Sequence, residues 1–136
     1  MSTFEWNRGD ENGLDERPHG NAGKIDPAAA HAEYSRLLGN GEQIHAAYLL
    51  VRDAFLFTNR RLILVDKQGF TGKKIEYHSV LYKSITHFAV ETAGNFDLDA
   101  ELKIWISSNP VPLQKQFSKS VDIYEVQAIL SHFVAV

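Results

Sequence analysis

From residue 42 onward the apolar positions come in short runs of strand length, each broken by residues that favour turns. Seven such runs stand out: EQIHAAYLL (42–50), DAFLFT (53–58), RLILVD (61–66), KKIEYHS (73–79), SITHFAVET (84–92), AELKIWIS (100–107) and PLQKQFS (112–118). In ELKIWIS the alternation is clear: Leu102, Ile104 and Ile106 point one way, Lys103 and Trp105 the other. KIEY alternates similarly through Ile75 and Tyr77. AFLF and LILV do not alternate, which predicts strands covered on both faces.

The period changes at either end of this block. DPAAAHAEYSRLLGNG predicts a helix over 27–38, with Asp26 as N-cap, Pro27 in the first turn and Gly39 ending it in a left-handed turn. Tyr34, Leu37 and Leu38 give that helix its apolar face. VDIYEVQAILSHFVAV predicts a second helix over 122–135. Ile123, Val126, Ile129, Leu130, Phe133 and Val134 form its apolar stripe. Asp122 and Glu125 have capping-box spacing, and Val121 and Val126 can staple around it. Seven antiparallel strands and a final amphipathic helix predict a mainly β domain, a partly open barrel or bent sandwich closed at one end by the helix.

Charge divides the chain. Residues 1–26 hold six acids and three bases, which is the whole net charge of −3, and the remaining 110 residues balance at eleven of each. The first 20 residues, rich in Gly, Asn and acid, read as a flexible polar arm with Phe4, Trp6 and Leu14 as its only apolar anchors. Residues 21–136 read as one domain. The acidic balance argues against nucleic acid as a partner. There is no cysteine, so no disulfide, thiol nucleophile or zinc–thiolate centre is available. The opening MSTFEWNRGDENG has no apolar h-region, so no signal peptide is expected, and no apolar run approaches the ~20 residues of a spanning helix. A cytoplasmic protein is the expectation, with a peripheral place at the inner face of the membrane as its variant.

The runs TNRRLILVDKQG, GKKIEYHS, YKSIT and FDLDAELKIWI, with IYEVQ in the final helix, closely resemble the bacterial pleckstrin homology (PH-like) domain family, a family of unknown cellular function. The likeness covers roughly residues 20–136. It implies a seven-stranded bent barrel or sandwich capped by a C-terminal helix, no catalytic residues, no cofactor, and assembly into a cyclic homo-oligomeric ring, a pentamer. The arm is where this chain departs most from the family.

Candidate chemistry is sparse. Residues 58–78 carry Arg60 and Arg61 at the turn between the second and third runs, and Lys67, Lys73 and Lys74 around the glycine-bearing loop that follows. The resemblance implies that a phosphate-binding relative would use the loop joining the first two strands, where several bases converge on phosphate oxygens. Here that junction is YLLVRDAF, with Arg52 as its sole base and Asp53 beside it. The basic cluster therefore reads first as solvated turns that protect sheet edges, and second as a surface for an anionic partner. FDLDAEL sets Asp97, Asp99 and Glu101 on one face of a strand. A calcium loop starting at Asp97 would need glycine sixth and a bidentate acid twelfth, and Leu102 and Ser108 stand there. His78 is expected to be exposed and His87 partly buried, on strands that could neighbour each other, with no ligand spacing between them. The GFTG glycines read as turn formers. Trp105 points away from the core and is expected to be covered by a partner or the arm, or else by the protein's own first helix.

These readings converge on a non-enzymatic module that self-assembles and presents a surface to an unidentified protein partner. Its candidate residues are Arg60, Arg61, Lys73, Lys74, Asp97, Asp99, Glu101 and Trp105. The alternative is a peripheral membrane module that binds anionic lipid through Arg60, Arg61, Lys73 and Lys74.

Overall fold

The structure is a computed structural model, and it describes residues 23–50, 53–68, 74–92 and 99–136. The expected arm, Arg52, Lys73, Asp97 and the GFTG turn lie outside the described residues.

Among the described residues, eight antiparallel strands form two sheets. The first sheet has the order β1 (Gly23–Ile25), β2 (Ile44–Leu49), β3 (Ala54–Thr58), β4 (Arg61–Gln68), β5 (Lys74–Leu81). The second has β6 (Ile85–Glu91), β7 (Ala100–Ile106) and β8 (Leu113–Phe117). All seven runs read from the pattern are strands. The eighth, β1, is three residues long and pairs Lys24 with Tyr48; so short a strand has too few alternations to show a period. Helix α1 (Pro27–Tyr34) sits between β1 and β2, and helix α2 (Ile123–Val134) ends the fold.

Two apolar cores explain why AFLF and LILV do not alternate. Phe55, Phe57, Leu62 and Leu64 face a core between the sheets, shared with Tyr48, Leu102, Ile104 and Phe117. Leu56, Ile63 and Val65 face the other way, into a smaller core with Ala30 and Tyr34 of α1. Every residue of β3 is buried. The aromatic rings of Phe55, Phe57, Tyr48 and Phe117 meet edge to face at 5.2–6.3 Å, the arrangement ring quadrupoles favour.

Both helices start as the sequence implies. Asp26 caps α1 by accepting from the Ala29 N–H at 3.3 Å, with Pro27 in the first turn. The end of α1 differs from expectation. The chain tightens into a 3-10 turn over Ser35–Leu37, and the glycine with positive φ is Gly41 (+80°), not Gly39. Asp122 caps α2 through the Tyr124 N–H at 3.0 Å. Ile123, Val126 and Leu130 are buried against the inter-sheet core, with Ile129, Phe133 and Val134 packed beside them. Val121 and Val126, the staple pair, are both buried there. Glu125 departs from the capping box. Its carboxylate accepts from the buried Tyr48 hydroxyl at 2.5 Å and pairs with Lys24 at 3.0 Å, tying α2 to β2 and β1.

Candidate functional site

Among the described residues, the basic cluster does not form one site. Arg61 is occupied inside the fold: its guanidinium grips Glu42 at 2.9 and 3.0 Å, donates to the Leu37 carbonyl at 2.7 Å and reaches Ser79 at 2.8 Å. Glu42 is 5% exposed. It also accepts from the Thr58 hydroxyl at 2.6 Å and the Gly39 N–H at 2.9 Å. Chiefly the Arg61 hydrogen bonds, then those from Thr58 and Gly39, hold the Glu42 carboxyl down at about 2 against the cost of burial. Thr58 itself accepts from the Arg60 and Arg61 N–H groups at 3.0 and 2.9 Å and so closes the β3–β4 turn. Arg60 is exposed beside Gly39 and Gly41. Lys74 pairs with Gln68 at the far end of β4 while Arg61 pairs with Leu81, about 23 Å apart at ~3.3 Å per residue. Three of the four proposed phosphate ligands are thus either consumed or widely separated, and the fourth, Lys73, is outside the described residues.

The β2–β3 junction is tight, with the Leu50 N–H donating to the Asp53 carbonyl at 2.8 Å. Asp53 pairs with Lys115 of β8 at 3.5 Å, so this corner joins the two sheets.

The acidic residues and Trp105 do come together, on the outer face of the three-stranded sheet. Leu102 and Ile104 point inward, which turns Glu101, Lys103 and Trp105 outward. Glu101 lies opposite Glu91 on β6 and Gln116 on β8, and Gln116 donates to Asp99 at 2.8 Å. Lys103 approaches Glu91 at 3.8 Å. At the other end of the face Trp105 stacks on His87, centroids 4.4 Å apart and planes 15° from parallel. Two expectations change here. His87 is exposed, because it lies on the outer face of an edge strand. Trp105 is not covered by the first helix, since α1 packs on β2 in the other sheet; its neighbour is His87. Nor do His78 and His87 sit on paired strands: His78 is exposed on β5 and pairs across to Leu64.

A surface the sequence did not single out is β5. Among the described residues it closes one side of the five-stranded sheet and is paired on one side only, to β4. The pairing is regular over eight residues, with no bulge and no proline. Ile75, Tyr77 and Leu81 are 37%, 45% and 47% exposed. Their register with Lys67, Val65 and Arg61 puts them on the face that α1 covers elsewhere. Helix α1 has eight residues, about 12 Å, and it covers the β2 side of the sheet. The alternation in KIEY was visible in the sequence, but the side on which it would be left uncovered depends on the length and placement of α1.

Among the described residues no three His, Asp or Glu side chains come together in a way that could hold a metal ion. No helix among them is long and apolar enough to cross a membrane.

Comparison with known proteins gives a consistent picture. The family model for the bacterial PH domain matches residues 13–134. The chain is 55% identical over 113 residues to the uncharacterized protein YjqA of Bacillus subtilis (strain 168), covering 82% of this chain and 90% of that one. It is similar to the crystal structure of a DUF1696 family protein with a pleckstrin-homology domain from Shewanella loihica PV-4. That likeness is at 51% identity and a TM-score of 0.77, over 85% of this chain and 99% of that one. A pleckstrin homology domain from Shewanella amazonensis SB2B matches at 50% identity and a TM-score of 0.72, over 84% and 92% of the two chains.

Proposed function

The chain belongs to the bacterial PH domain family, and from that premise we propose a non-enzymatic module that self-assembles into a cyclic homo-oligomer and presents a surface to another protein. The β5 edge carries this reading. Natural proteins blunt exposed sheet edges with charge, proline, bulges or a covering element. Strand β5 carries Lys74 and Glu76, but it has no proline and no bulge, and Ile75, Tyr77 and Leu81 stand out of it over eight regular residues. A second copy that adds a strand there satisfies the free backbone groups and removes the apolar side chains from water. If a different surface of that copy supplies the strand, the contact is heterologous and closes into a ring when the rotation per subunit permits.

The outer face of β6–β8, with Glu101 and Asp99 at one end and the His87–Trp105 pair at the other, is the surface proposed for the protein partner. Anionic lipid is the weaker alternative, because Arg60, Arg61 and Lys74 do not converge as phosphate ligands would. A cytoplasmic location belongs to the same proposal.

Light scattering at micromolar concentration and physiological salt tests the assembly. A mass several times the 15.3 kDa chain is expected, and Tyr77→Lys should lower it, since a charge placed in the edge opposes burial. A single 15.3 kDa species in the unmodified protein would overturn the proposal.

A further inference from the structure

Two histidines meet at a place the interaction surfaces do not use. His45 is the extra residue of a bulge in β2: Ile44 pairs with Thr58 and Ala46 with Phe57, leaving His45 without a partner across the ladder. The bulge turns the strand, so that Ile44 faces the α1 core and Ala46 faces the inter-sheet core. Bulges of this kind re-aim side chains. Here the exposed His45 is aimed at the last turn of α2, where it meets the exposed His132 with ring centroids 6.1 Å apart and planes within 17°. Phe133 backs both rings edge-on, at 5.4 Å from His45 and 4.8 Å from His132. It is itself stacked at 4.7 Å on the buried Tyr82, whose hydroxyl is fixed to the Thr58 carbonyl at 2.7 Å. Neither imidazole has a hydrogen bond or an ion pair among the described residues; ring contacts are their only interactions.

We propose that His45 and His132 form a two-imidazole site for a divalent transition-metal ion of the zinc or copper class. Imidazole nitrogen is a ligand suited to those ions, and a metal–nitrogen distance of ~2.0–2.1 Å sets two imidazole centroids about 5–6 Å apart on one ion. In the structure the rings lie near-parallel with centroids 6.1 Å apart, so both exposed side chains rotate to turn one nitrogen each onto a shared ion. The carbonyl end of α2 adds partial negative charge beside the site, which favours a cation. Two protein ligands leave the remaining positions to water, so the site exchanges its ion readily, unlike a closed four-ligand centre. A bound ion would fasten the end of α2 to β2.

Copper(II) and zinc(II) titrations of the chelator-treated full chain test this. One copper per chain is expected, with an electron paramagnetic resonance spectrum showing two imidazole nitrogens. His45→Gln and His132→Gln should each remove one nitrogen and weaken binding about tenfold, the loss of one of two imidazole bonds. His31→Gln, on the exposed side of α1, should change neither. Zinc should raise the melting temperature of the unmodified protein and not of the two variants, and magnesium should do nothing. The same copper spectrum in both variants, or no saturable binding at about 100 µM metal, overturns the assignment. Both histidines are exposed, and circular dichroism of the variants separates misfolding from lost ligation.

Discussion

The sequence neighbours of Arg61 say the opposite of its surroundings. In TNRR it reads as half of an exposed basic pair. In the fold it is the counter-charge of Glu42, 19 residues away, and no local pattern announces a partner at that separation. Removing one member of a buried ion pair strands the other, so Arg61→Ala should cost about 3–5 kcal/mol in denaturant unfolding. Arg60→Ala, at an exposed position, should stay within about 0.5 kcal/mol of the parent. The same network sets a pH dependence. Glu42 titrates near 4.5 when unfolded and about 2 when folded. Its contribution is therefore complete above pH 4.5 and lost as pH falls towards 2. Glu42→Gln should make stability less dependent on pH across that window, measured by urea unfolding at a series of pH values; an unchanged slope would show that the carboxylate is not the responsible group.

At the scale of elements, helices and strands were legible wherever a period ran long enough to repeat. The seven strands followed from short apolar runs broken by turn residues, and the capped start of α2 from Asp122. What escaped was decided by neighbours. Strand β1 exists because β2 offers it an edge, and Glu125 abandoned the capping box because the Tyr48 hydroxyl lies beneath it. Chiefly that hydrogen bond, with Lys24 adding to it, pulls the Glu125 carboxyl below its usual range. The outward and inward sides of AELKIWIS were readable, whereas the partner on the outward side was not, since His87 comes from another strand. Helix α2 should prove indispensable. Leu130 is fully buried in the inter-sheet core, and Leu130→Ala should cost about 2–5 kcal/mol. Tyr124→Ala, 67% exposed on the same helix, should cost far less, and equal melting of the two variants would mean the helix is not packed as described.

Over the whole molecule, the described bases and acids do not gather into two opposed patches. Among the described residues, Arg60 and Arg61 lie at one end of the β4–β5 hairpin and Lys67 and Lys74 at the other, while Asp99 and Glu101 share one face with a lysine between them and Trp105. Assembly should therefore depend on β5's apolar and backbone contacts more than on charge. Exposed ion pairs give about 0–1 kcal/mol each and are screened by salt. Raising the salt to about 1 M, where the screening length is ~3 Å, should leave the assembled mass in light scattering unchanged. Dissociation by salt would return the interface to the charged residues.

The Lys24–Glu125 contact has a consequence in time as well as in space. It joins residues 101 positions apart, and closing so long a loop is entropically costly until the sheets between them exist. Strand β1 and helix α2 should therefore dock after the folding barrier, onto a core already made by β2–β8. Substituting Glu125 by Gln should then leave the refolding rate nearly untouched and speed unfolding. The latch between the two ends of the domain governs how long the folded state lasts, not how quickly it is reached.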